Sequence, residues 1–98
     1  MVTTDVIPLP VLRAEILLRN AEALAENKER TDKDNKTLAN QLAEARNQLK
    51  MAELLGYGNK KAFKPMYEQI DQIEEKTADG KSGKSWFDKI KQQLSDLM

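Results

Sequence analysis

The chain has 98 residues, in which sixteen Lys and Arg offset sixteen Asp and Glu, with no Cys and no His. Cancelling charge leaves no general attraction to nucleic acid or to an anionic membrane. The missing thiols and imidazoles exclude disulfide frameworks, thiolate nucleophiles and zinc knuckles, and with them the commonest general base and the commonest metal ligand. The length suits one domain, residues 1–98, and no apolar run approaches the ~20 residues that span a bilayer.

The opening stretch, Met1–Leu9, carries β-branched residues and Pro8, with Pro10 just beyond. That composition opposes helix and predicts an extended N-terminal arm. Val6, Ile7 and Leu9 are apolar enough for two readings: an arm packed on the helices, or the last piece of a preceding domain. Met1–Asp5 does not read as a signal peptide.

Pro10 suits the first turn of a helix, where its missing N–H costs nothing. Over residues 10–28, Val11, Ala14, Leu17, Leu18, Ala21, Leu24 and Ala25 make one apolar face, and Leu12, Ile16 and Ala23 add a second, narrower strip. A helix apolar over so much of its girth calls for two layers of partners. Glu29–Asn35 is wholly polar and reads as a turn, with Thr31 or Asp34 capping the next helix. So short a link predicts an antiparallel pair.

The strongest pattern lies between Thr37 and Gly58. Leu38, Leu42, Ala45, Leu49 and Ala52 follow at spacings of four, three, four and three, the rhythm of a single helical stripe over residues 35–55. Ala39, Ala43, Met51 and Leu54 widen it. Leu55-Gly56-Tyr57-Gly58 is a helix stop, in which Gly56 takes the left-handed conformation and Tyr57 folds back as a hydrophobic cap.

A third helix, residues 62–78, repeats Phe63, Met66, Ile70, Ile73 and Thr77 with Tyr67 beside them, and its other side, Glu68, Asp71, Glu74 and Glu75, is acidic. After the loop Ala78–Lys84, Ser85 is expected to cap a fourth helix, residues 85–97, with Asp88 as its capping-box partner. Trp86, Phe87, Ile90, Leu94 and Leu97 form its core side. The acidic third and basic fourth helices suggest charge complementarity at their shared rim. The fold expected is all-α, an antiparallel up-and-down bundle of about four helices with an extended N-terminal arm. Its core includes Leu17, Leu24, Leu42, Leu49, Ile70, Phe87 and Leu94.

The order of these features resembles the C-terminal portion of the YfdX family of bacterial proteins. The resemblance runs through Pro8-Leu9-Pro10, the Ala/Leu hairpin, Leu54-Leu55-Gly56-Tyr57-Gly58, the Tyr67–Ile73 helix and Trp86-Phe87-Asp88-Lys89-Ile90. It implies a helical protein, often periplasmic and tied to acid or other stress, and it implies that this chain matches about half of a family member.

Chemistry-bearing motifs are few. Ala78-Asp79-Gly80-Lys81-Ser82-Gly83-Lys84-Ser85 satisfies a loose P-loop string, yet a phosphate cradle needs a strand before it and a helix after it. Here both flanks are helical, so no nucleotide is expected. Lys60, Lys61 and Lys64 read as solvated charge rather than an anion site, and Glu68, Asp71, Glu74 and Glu75 as a surface face rather than a cation site. Tyr57, Tyr67 and Trp86 are the candidate ligand-binding residues, as the lining of an interhelical groove. With no nucleophile–base pair and no metal set, the sequence points away from an enzyme, and no cofactor is implied. The expected function is a non-enzymatic interaction or scaffolding domain. Its partner is protein, either a second copy or a missing N-terminal half. The alternative is a small-molecule or peptide binder using the Tyr57–Tyr67–Trp86 groove.

Overall fold

The structure, a computed structural model, describes residues 9–58 and 60–97. They form four helices and, among the described residues, no strand: α1 (Leu9–Ala25), α2 (Asp32–Leu54), α3 (Lys60–Ala78) and α4 (Lys84–Leu97). Each helix packs on the next and α4 packs back on α1, closing an antiparallel up-and-down bundle. The expected extended arm lies outside the described residues except for Leu9, which opens α1 instead of ending the arm. Pro10 therefore sits inside the first helical turn, where it is tolerated.

The helix boundaries differ from the sequence expectation mainly at the α1–α2 link. α1 ends at Ala25 and α2 already begins at Asp32. The cause is a capping box: the Asp34 amide donates to Thr31 Oγ1 (3.2 Å), and the Thr31 amide donates to the Asp34 carboxylate (2.9 Å). Asp32 and Asp34 also place negative charge at the positive end of the helix dipole. α2 ends as expected. The Tyr57 amide donates to Ala52 C=O and the Gly56 amide to Glu53 C=O, closing a Schellman motif around Gly56 at φ 78°.

The start of α4 requires a correction. Ser85 is not its cap: the helix begins at Lys84, and the Gly83 carbonyl accepts from the amides of Trp86 and Phe87. Gly83 is at φ 63°, and a side chain there would lie 3.7 Å from Lys76 Cβ. The left-handed φ at Gly83 therefore selects glycine, and the helix starts one residue earlier than expected.

The core combines a small-residue hairpin with a large-residue one. α1 and α2 bury Val11, Ala14, Leu18, Ala21 and Ala25 against Leu38, Leu42, Ala45, Leu49 and Ala52, while α3 and α4 supply Phe63, Met66, Ile70, Ile73, Phe87, Ile90 and Leu94. Of the core residues expected, Leu42, Leu49, Ile70, Phe87 and Leu94 are fully buried. Leu17 and Leu24 are only half-buried, because the inward stripe of α1 is centred on Ala14, Leu18, Ala21 and Ala25, one residue further on. Met51 and Leu54, expected to widen the α2 stripe, are exposed.

Arg30 ties the loop end of the bundle. Its guanidinium donates to Ala25 C=O (2.8 Å), Asn35 Oδ1 (2.8 Å), Thr77 C=O (3.0 Å) and Lys81 C=O (3.0 Å), joining the α1–α2 link to the end of α3. The rim ion pairs also differ from expectation. Asp71 of α3 pairs with Arg46 of α2, and Lys91 of α4 pairs with Glu22 of α1 (2.8 Å). These ion pairs thus run between α2 and α3 and between α4 and α1 rather than along the expected α3–α4 rim.

Leu42→Ala should cost about 2–5 kcal/mol, a large share of a typical ~5–15 kcal/mol domain stability. Leu24→Ala should cost clearly less, since part of that side chain stays in water. Denaturant unfolding of both variants checks the order, and equal losses would contradict the placement of the α1 stripe.

Candidate functional site

The three aromatic residues singled out in the sequence do not converge. Tyr57 lies in the α2–α3 link, where its phenol O–H donates to Leu97 C=O (3.2 Å) at the end of α4. Trp86 lies in the first turn of α4, with Lys89 Nζ 4.3 Å above its ring. Eleven residues separate Trp86 from Leu97, about 16 Å of helix, so the two aromatics occupy opposite ends of the bundle.

Tyr67 belongs to the α2–α3 contact. Its O–H donates to Glu53 Oε2 (2.5 Å), and its ring stacks with Phe63 at 6.4 Å. Lys50 Nζ and Arg46 Cζ lie 5.3 and 5.6 Å from the ring centroid. These cations on the ring face and the carboxylate at its tip make Tyr67 a clasp between two helices. Burial, together with the hydrogen bond to Glu53, pushes its phenol well above the ordinary tyrosine range. Two grooves lie elsewhere: about 360 Å³ between Leu38, Ala39, Glu74 and Thr77, and about 440 Å³ between Gly58, Pro65, Gln93 and Leu97.

The charged motifs are placed as follows. Among the described residues no three Asp or Glu side chains gather as a cation site, and Asp71 is paired with Arg46. Desolvation, with the nearby Asp71 charge, raises Glu74 above the usual carboxylate range. Lys61 and Lys64 are exposed in the first two turns of α3. The P-loop-like string bridges the end of α3 and the start of α4, and Lys84 is exposed. Among the described residues no helix is long and apolar enough to cross a membrane.

One surface remains. Leu9, Leu12 and Ile16 point away from the core of α1, and Met51, Leu54 and Leu55 end α2 with their side chains in solvent, Ile16 58 % and Leu54 85 % exposed. Because the two helices are antiparallel, the start of α1 lies beside the end of α2, so Leu9 and Leu12 lie at the same end of the hairpin as Met51, Leu54 and Leu55, with Ile16 midway along α1. Beside Ile16 runs a groove of about 370 Å³ lined by Arg13, Ile16, Leu17, Glu44 and Gln48. Within its lining Gln48 is buried; its Nε2 donates to Glu44 (2.9 Å), and its Oε1 has no donor among the described residues. The second strip of α1 was the sequence signal for this face. The contribution from α2 was hidden, since Met51 and Leu54 fit a widened core stripe equally well.

Compared with family models, curated proteins and solved structures, the chain matches none.

The Tyr67 clasp predicts alkaline sensitivity. A phenol whose ionisation is raised by folding stabilises the protein fully below the unfolded value of about 10. That contribution is lost as pH rises toward the folded value. Lys91, raised chiefly by its hydrogen bond to Glu22, acts with the same sign. Absorbance titration should show one of the two tyrosines ionising only in strong alkali, and Glu53→Gln should bring that step down. Two ordinary tyrosine steps in the parent would contradict the clasp.

Proposed function

We propose that this domain is a non-enzymatic helical interaction or scaffolding module that docks protein through the apolar end of the α1–α2 hairpin. The observation that carries the reading is the exposure of Leu9, Leu12, Ile16, Met51, Leu54 and Leu55 on the outer side of α1 and at the end of α2. Their summed exposed area is on the order of 600 Å², more apolar surface than scattered single residues account for. Keeping so much apolar surface in water is unfavourable by about 25 cal/mol per Å², a penalty that docking removes. The partner is a second copy or a preceding half of a longer protein.

The alternative, a small-molecule groove at Tyr57, Tyr67 and Trp86, finds less support, because these residues lie apart and two of them hold helices together. Nucleotide and nucleic-acid binding stay outside the reading. The balanced charge offers nucleic acid no broad attraction, and the Gly83-Lys84-Ser85 string joins two helices. The YfdX resemblance adds a proposed bacterial stress-response role in the periplasm, which cell fractionation tests by where the protein is recovered.

The docking face is tested with an environment-sensitive dye at high dilution. The parent should brighten it, and Ile16→Glu combined with Leu54→Glu should not. Both positions face solvent, so the double variant should keep the parent's far-ultraviolet dichroism and melt within about 1 kcal/mol of it in stability. Equal dye response from parent and variant would remove this surface from consideration.

A further inference from the structure

We infer that the occupant of this face is a second copy of the same chain, joined through a two-fold contact in which each protomer presents its own α1–α2 outer surface. The inference rests on the docking reading above and adds the identity of the partner. Area is the first support. The patch supplies most of the ~800 Å² that each partner of a stable complex contributes.

The second support is shape. A two-fold contact uses one patch on both sides, so that patch must carry both a projection and the recess that receives it. Ile16 forms the projection along α1. The groove of about 370 Å³ between α1 and α2 is bordered by Ile16 itself.

Charge is the third. Arg13 makes no hydrogen bond or ion pair among the described residues, although Glu44 borders the same groove. In a two-fold contact the Arg13 guanidinium of one copy meets the exposed Glu44 carboxylate of the other. Its planar fork suits that carboxylate. The net charge of zero puts no long-range repulsion between copies.

Sedimentation of the full chain at concentrations up to about 100 µM should show a species of twice 11.2 kDa. Ile16→Lys should leave a folded monomer with the parent's melting temperature. Arg13→Glu should weaken association about tenfold or more, and adding Glu44→Arg to it should restore the dimer. The inference is overturned by a parent that stays monomeric, or by a charge-swapped double variant that associates no better than Arg13→Glu alone. A monomeric parent that still brightens the dye keeps the docking face and loses only the second copy. A monomeric parent that does not brighten it loses both.

Discussion

The closeness of α1 to α2 is the constraint from which the rest of this bundle follows. Ala14, Ala21 and Ala25 on one helix and Ala45 and Ala52 on the other are completely or almost completely buried. Interhelical distance is set by the side chains at the contact, and methyl groups allow the short end of the ~8–10 Å range. Leu18, Leu38, Leu42 and Leu49 fill the gaps between them. A seam built of alanines buries little apolar area per residue, so this hairpin alone would be marginal. The second hairpin compensates with bulk: Phe63, Met66, Ile70 and Ile73 on α3, and Phe87, Ile90 and Leu94 on α4.

An apolar seam of this kind resists separation more strongly than sliding, and polar contacts at the two ends fix the register. At one end Arg30 bridges carbonyls of α1 and α3, where the negative ends of two helix dipoles also favour its charge. At the other, Tyr57 reaches from the α2–α3 link to the last turn of α4. Between them the Tyr67–Glu53 bond and the Arg46–Asp71 pair hold α2 to α3, and Lys91–Glu22 holds α4 to α1. Exposed ion pairs of this type contribute less than about 1 kcal/mol each, so their service is to orientation more than to stability.

The same seam explains the outer surface. With alanines turned inward, several of the larger side chains of α1 face elsewhere: Leu17 and Leu24 to the flank, Leu12 and Ile16 to solvent. Among the described residues no element covers Leu12 and Ile16. The exposed apolar side chains of α1 are therefore a consequence of how that helix divides its residues between core and surface, and the proposed interaction role rests on them.

Much of the architecture was legible in the sequence. The four-three rhythm from Leu38 to Ala52, the Gly56 stop, and the Phe63–Ile73 and Phe87–Leu94 stripes specify helices and their inward faces by local geometry alone. Local chemistry also offered Thr31 and Asp34 as alternative caps of α2, and the structure joins the two in one capping box. What required the tertiary structure was every choice among neighbours competing for one surface. α1 offered more apolar residues than one face holds, and only packing against α2 decided that Leu18 went in and Leu17 stayed at the edge. Ser85 was the expected cap of α4, and the left-handed turn at Gly83 decided for a start at Lys84. Arg30, one charge in a polar turn, could not be distinguished from Lys28 or Lys33 until the end of α3 came within reach of its guanidinium. Periodicity records which residues share a side of a helix; the distance to the next helix determines which of them become core, clasp or open surface.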